Sequence, residues 1–348
     1  MSMPEAYDAA VHGPQARARS SRSILLLFSG PHQRPDGLAA FLAKLGFSTV
    51  MVDSDPDHGG GKKEDILEDS VFEGLLKRVK AAEFLAIIAA PPCSTFSISR
   101  FFKAKDGRGA PQVRSRMHIR GLPKVHPKHR KELTLANSIV ARTVMLLAAA
   151  SSVGTQWILE NPSDRGDPSA HRLWLHDDHG PMWEMPEVKA LRKVNSGSIA
   201  TFPMCAFSAP WQKFTTLMYS AGFEAWLAPL GQLKCNHSSH EAPAGGLDSA
   251  GEWVSARAAA YPADFNYYVA RAVQSLISSS VASLPLVRGR DAPTEDGIET
   301  RAQELNMPLP GAVGPAVAKV PPHAGGSQVE FSAPPIDSSS RHRSTSRR

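Results

Sequence analysis

The sequence predicts an α/β domain built on a mainly parallel sheet, and three observations predict it. Four short apolar runs without turn residues, at 24–28, 48–52, 84–88 and 156–159, read as buried strands. Stretches of helical periodicity lie between them, the alternation expected of βαβ units. The strands end on punctuation: Ser29-Gly30-Pro31, Asp53, Pro91-Pro92 and Asn161-Pro162. Ligands of open α/β sheets bind beyond the carboxyl ends of such strands, so these tips form the candidate site.

In chain order, residues 1–22 are rich in Ala, Arg and Ser without periodicity and read as a disordered arm. One domain follows over 23–285. The strand at 24–28 leads to a helix over 38–46, begun by Asp36 and stopped by Gly46. The strand at 48–52 ends on Asp53. An acid at that tip recurs in nucleotide-type cofactor folds, where it takes ribose hydroxyls. The turn after the first strand has no GxGxxG and carries two prolines, which argues against a pyrophosphate cradle. S-adenosylmethionine, a cofactor without a pyrophosphate, fits better. Gly59-Gly60-Gly61 reads as a mobile linker, and Asp65-Ile66-Leu67 as the end of a strand or a turn beside the cofactor. A helix over 71–82 leads into the strand at 84–88.

Two prolines stop that strand, because proline cannot donate to a ladder and restricts the residue before it. Cys93 therefore belongs on a stiff turn past a strand end, where a stabilised thiolate can act as a nucleophile. A half-buried thiol in a proline turn is the plainer alternative. Residues 98–131 follow as a long basic loop. Between Arg100 and Lys131 lie eleven Lys or Arg and one acid, a charge of +10 against +6 for the whole chain. Such local basicity points to a polyanion contact, as a lid or a phosphate clamp. A helix over 132–151 presents Leu133, Ile139, Val140, Val144, Leu146 and Leu147. The strand at 156–159 then ends in Glu160-Asn161-Pro162. A carboxylate closing an apolar strand is costly to bury without a partner or a task, which makes Glu160 a site candidate.

A short helix near 187–192 and two pairing strands at 199–207 and 214–220 come next. The Cys/His loop at 231–245 carries Cys235, His237 and His240. With Cys205 these offer a zinc donor set, but no CxxC pair supports it and no metal is assigned. Tyr261-Pro262 opens a last helix over 263–277, with Phe265, Tyr268, Val269, Ala272, Val273 and Leu276 inward. Residues 286–348 read as a disordered tail rich in Pro, Ser and Arg. Three widely spaced cysteines give no disulfide framework and indicate a reducing, intracellular compartment. No membrane span or signal core is expected.

Taken as an ordered set, these tips resemble the C5-cytosine DNA methyltransferases. Leu27-Phe28-Ser29-Gly30 is similar to their first motif, and Pro91-Pro92-Cys93-Ser94-Thr95-Phe96-Ser97 to their Pro-Cys motif. Glu160-Asn161-Pro162 resembles their Glu-Asn-Val in the form associated with phage and mobile-element relatives. Gln212-Lys213 faintly resembles their Gln-Arg-Arg, and the match spans about 24–274. The resemblance implies a Rossmann-like S-adenosylmethionine-dependent methyltransferase fold. It implies Cys93 as nucleophile and Glu160 as the base-polarising acid. Phe28, Ser29, Gly30, Asp53, Asp65 and Pro91 would bind the cofactor. Ser97, Arg100, Lys103, Arg114, Arg116, Arg120, Gln212 and Lys213 would contact DNA, with the target base flipped out or single-stranded. Three other readings stay open. One is a nucleic-acid-binding module that keeps the fold without the chemistry. Another is a zinc-dependent interaction domain. The third is an amino-methyltransferase, which Ala90 and Cys93 disfavour, because those positions would hold an acid or amide and an aromatic ring.

Overall fold

Alternation along the first strand sets the layers. In β1 (Ser23–Leu27), Ile24 and Leu26 point to one face and Leu25 and Leu27 to the other, and none is more than 4% exposed. A strand apolar on both faces must be central, with helices above and below it. The computed structural model describes residues 21–103, 107, 109–241 and 258–282. The arm before residue 21, the tail beyond 285 and residues 242–245 of the Cys/His loop lie outside the described residues. Ser21 and Arg22 are held: the Ser21 hydroxyl donates to the Glu83 carbonyl at 2.6 Å, and the Arg22 carbonyl accepts from the Ser48 N–H at 3.0 Å.

After β1 come α1 (Leu38–Lys44), β2 (Ser48–Val52), α2 (Asp69–Lys80), β3 (Ala86–Ala89), α3 (Pro127–Ser152) and β4 (Gln156–Pro162). The chain continues through α4 (Pro186–Val194), β5 (Ser198–Pro203), β6 (Phe214–Tyr219), α5 (Glu224–Leu227) and α6 (Ala263–Ala282). The strands form one sheet in the order β2-β1-β3-β4-β6-β5. The first four pair in parallel, and β6 runs antiparallel between β4 and β5. This is a mixed α/β architecture. One core holds Leu42, Phe202, Leu217, Phe265 and Val269 from the sheet, α1 and α6. The other holds Val79, Val140, Leu147, Trp157 and Leu191 from the sheet, α2, α3 and α4. Each such side chain contributes roughly 1.5–3 kcal/mol by leaving water. By length and composition α3 alone among the described helices passes as a membrane span. Here seven of its residues are buried in the fold, from Leu133 to Ala150.

Several expected boundaries move for local reasons. Helix α3 starts at Pro127, ahead of the expected 132. Pro127 fits the first helical position, and His126 Nδ1 accepts from the Lys128 N–H at 3.3 Å. Lys128, Arg130 and Lys131 thus belong to a helix, and the basic loop ends at 126. Asp36 does not cap α1, because its carboxylate takes Arg34 Nε and Nη2 at 2.7 and 2.8 Å. Strand β4 runs through Pro162, which pairs opposite Thr215 of β6. The strand expected to reach 207 ends at Pro203, followed by a 3-10 turn over Met204–Phe207 and a left-handed Ser208 at φ 64°.

The glycines at 59–61 are a packed turn rather than a mobile linker. A Cβ on Gly60 would lie 1.8 Å from the Asp53 carbonyl oxygen, and the Gly61 N–H donates to that same carbonyl at 3.0 Å. Gly60→Ala is expected to cost about 2 kcal/mol or more, because backbone must move. Gly74→Ala on α2 meets nothing within 4 Å and is expected to stabilise by about 0.5–1 kcal/mol. Urea denaturation of the two variants side by side checks both signs.

Candidate active site

The direction of chain winding reverses between β1 and β3, which makes their carboxyl ends the topological switch point of the sheet. Parallel register places Ala89 beside Leu159, so the next residues on each strand run side by side. There the Pro-Pro-Cys and Glu-Asn-Pro segments are tied together: the fully buried Asn161 donates from Nδ2 to the Pro91 carbonyl at 3.0 Å. Pro91 is buried in this joint and Cys93, one residue past Pro92, is half-buried.

Glu160 is 6% exposed. The Thr215 hydroxyl donates to its Oε1 and the Tyr261 hydroxyl to its Oε2. Thr215 comes from β6 and Tyr261 from the approach to α6, so three elements meet on one carboxylate. Burial pushes the Tyr261 hydroxyl well above the usual phenol range, and the neighbouring Glu160 and Cys93 reinforce this. Tyr261 therefore stays a proton donor. Burial also pushes the Cys93 thiol up; the Lys213 ammonium opposes this and Glu160 adds to it. Lys213 is held by the Ala258 carbonyl at 3.1 Å and lies 5.7 Å from the centre of the Tyr261 ring.

A cavity of about 380 Å³ opens at the switch point, with Phe28, Ser29, Gly30, Ala90, Glu160 and Tyr261 in its wall. That volume lies within the range of about 300–1,000 Å³ typical of small-molecule sites. Phe28 is left-handed at φ 60°, a conformation that costs a bulky residue about 1–3 kcal/mol and clusters at functional sites. Phe28, Ser29 and Gly30 thus line this cavity. The other expected cofactor residues do not reach the cavity wall. Asp53 has its Oδ2 on the Gly30 N–H and its Oδ1 on the Asp55 N–H, both at 2.9 Å. Asp65 accepts from the Leu67 N–H at 2.8 Å, a local turn bond.

The loop after Cys93 spends much of its basicity inside the chain. Arg114 is 2% exposed and Arg100 7%, so neither is presented to a polyanion. Arg114 donates to the Thr95 hydroxyl at 3.0 Å and to Asn137 Oδ1 at 2.8 Å, and lies 4.0 Å over the Phe96 ring. Burial, with the Arg100 and Arg120 charges, pulls it down to about 9, so it remains charged at neutral pH. Arg100 bonds the Ser94 carbonyl at 2.6 Å and Glu132 at 2.9 Å. Arg116 pairs with Asp164 and Glu184, and Arg120 with Glu187. Ser97 caps the turn Ile98–Phe101. Lys103, Arg120 and Gln212 are exposed. Lys105 and Arg108 lie outside the described residues.

Sequence reasoning missed Thr215 and Tyr261 as site residues, because no spacing relates them to Glu160. It also missed His179, 1% exposed, which accepts the Arg165 N–H on Nδ1 at 3.0 Å. Nε2 is then the donor to the Phe96 carbonyl at 2.9 Å, fixing the turn behind Cys93. No family model matches the chain, and a search of curated proteins finds no match.

The charges around Cys93 give a signed prediction. Removing the cation in Lys213→Gln is expected to raise the thiol further and slow its alkylation at pH 8, on the order of three-fold. Removing the anion in Glu160→Gln is expected to speed it by a similar factor. Iodoacetamide labelling, followed by mass spectrometry of the Cys93 peptide across pH, reads both.

Proposed function

We propose that the domain transfers a methyl group from S-adenosylmethionine to carbon 5 of cytosine in DNA. One observation carries this reading: Cys93 and Glu160 stand on the ends of neighbouring strands, joined by Asn161, beside a cavity that reaches Glu160. The mixed sheet with its switch point is compatible with a Rossmann-like methyltransferase frame. The largely apolar cavity wall, with Ser29, Arg34, His58, Glu160, Tyr261 and Asn266 as polar groups, suits a nucleoside without a pyrophosphate.

S-adenosylmethionine, when bound, supplies an electrophilic methyl group. The chain supplies the rest. Cys93 loses its proton to solvent, the thiolate being favoured by the Lys213 charge, and the sulfur adds to carbon 6 of the ring as the carbon 5–carbon 6 π bond breaks. Carbon 5 thereby becomes an enamine carbon able to take the methyl. Glu160 holds and polarises the base during the addition, with its own carboxylate oriented by Thr215 and Tyr261. Loss of the carbon 5 proton to solvent then re-forms the carbon 5–carbon 6 double bond and expels the Cys93 thiolate. The Phe96 turn, pinned by Arg114 and His179, keeps Cys93 in place.

A second reading is a nucleic-acid-binding domain that has lost the chemistry. The engagement of Asp53 by two backbone N–H groups favours it, since the expected ribose contact is taken up within the chain.

Incubation with S-adenosylmethionine and DNA containing 5-fluorocytosine separates the two. Fluorine blocks removal of the final proton, so a methylating enzyme stays covalently attached on a denaturing gel. The expected result is an attached species abolished in Cys93→Ala and reduced on the order of 100-fold or more in Glu160→Gln. No attachment with cofactor and DNA binding both intact supports the binding domain. No attachment and no cofactor binding sinks the methyl-transfer proposal.

A further inference from the structure

Away from the Cys93 centre, the structure brings Cys205, Cys235, His237 and His240 together: their ligand atoms all lie within 4.8 Å of one another. Cys235 Sγ is 3.6 Å from His237 Nδ1 and 3.2 Å from His240 Nε2. The two imidazole rings are 5.3 Å apart and nearly perpendicular, at 81°, so they do not stack and each turns a nitrogen toward Cys235. Zinc held at about 2.3 Å from sulfur and about 2.0–2.1 Å from nitrogen gives a tetrahedron with edges of about 3.3–3.8 Å. Both of these Cys235 edges fall in or beside that range. The half-exposed or exposed positions of Cys235, His237 and His240 let the remaining edges shorten by side-chain rotation.

The fold supplies an independent reason for a cross-link here. Cys205 is 3% exposed and comes from the turn after β5, between Met204 and Phe207, both of which are core residues. Its three partners come from the stretch after α5, where residues 231–241 are exposed or half-exposed and Leu233 is 37% exposed. That stretch brings little apolar surface to offset the entropy of ordering it. Its contact with the β5–β6 turn includes a bridge between Trp211 and Glu241 and a bond from the Glu241 N–H to the Pro210 carbonyl at 2.9 Å. A metal bound by both segments supplies the missing anchor.

We infer that Cys205, Cys235, His237 and His240 form a structural zinc site that staples the segment after α5 to the β5–β6 turn. Two thiolates and two imidazoles match zinc rather than magnesium or calcium, which take oxygen ligands. Four protein ligands leave no open position for substrate or water, so the site is structural. It stands apart from Cys93 and Glu160 and does not depend on the methyl-transfer reading.

The test is metal analysis of the full chain, purified under reducing conditions without chelator. Inductively coupled plasma mass spectrometry is expected to find about one zinc per chain. Cys93→Ala is expected to retain it, while Cys235→Ser and His240→Ala lose it at least about ten-fold. Replacement by Co²⁺ is expected to give the intense visible bands of a tetrahedral site with sulfur-to-cobalt charge transfer, bleached by added Zn²⁺. The Co²⁺ spectrum of the unsubstituted chain decides the matter even if a variant fails to fold. Absence of zinc together with no tetrahedral Co²⁺ spectrum overturns the proposal. So does full metal retention in folded Cys235→Ser, or a Cys205–Cys235 disulfide in protein that takes up no metal after reduction.

Discussion

The buried carboxylate of Glu160 is the constraint on which the site depends. A carboxylate taken out of water costs several kcal/mol unless charge-compatible donors replace the lost hydration. Here the donors are the hydroxyls of Thr215 and Tyr261, each on a different oxygen. Neither belongs to β4. The strand that carries Glu160 therefore reaches its stable arrangement only once β6 and the approach to α6 are docked against it. Tyr261 in turn lies beside Phe265 at 5.4 Å between ring centres, which ties the donor to the hydrophobic face of α6. Packing and polar satisfaction thus demand the same assembly, and the acid is oriented before any ligand arrives.

The basic segment shows how charge is absorbed into structure. Arg100 and Arg114 run inward beneath the Cys93 turn, where their donors are spent on carbonyls, Thr95, Asn137 and Glu132. Arg116 reaches Asp164 and Glu184, and Phe101 packs on His176 at 4.7 Å. The loop is thereby fastened to the segment between β4 and α4. A lid that must open and close would need few such bonds. The geometry describes instead a brace that holds the strand-end turn rigid, with Lys103, Lys124, Lys128 and Arg130 left at the surface.

Much of this was legible from residue order. The strands, their apolar two-sidedness and the tips bearing Cys93 and Glu160 follow from short apolar runs closed by proline, because those patterns are local. The partners were not legible. That Arg114 is buried rather than exposed depends on Thr95, Phe96 and Asn137 converging around it. Net charge counts cations without showing which acids answer them. Asp53 was visible as an acid at a strand end, but its capture by the Gly30 and Asp55 N–H groups depends on how the Gly59–Gly61 turn folds under it. Likewise the Cys-x-His-x-x-His spacing by itself is weak. It gains meaning only when the β5–β6 turn brings Cys205 to it.

That hairpin links the chemistry of the sheet to its register. Thr215 and Thr216 are adjacent, both at most 3% exposed, and face opposite sides of β6. Thr215 serves Glu160, while Thr216 shares a hydroxyl contact of 2.7 Å with Thr201, its partner across β5. A slip of one residue would exchange their faces. Glu160 would lose a donor and the hydroxyl pair would be broken, each at a cost of about 1–3 kcal/mol for an orphaned buried group. Two polar residues in a strand otherwise made of Phe, Leu, Met and Tyr therefore act as register pins. The same register carries Lys213 toward Cys93 at one end of the turn and Cys205 toward its histidines at the other. The support that Glu160 receives from β6 and the placing of Cys205 in the Cys/His cluster are thus consequences of one strand alignment.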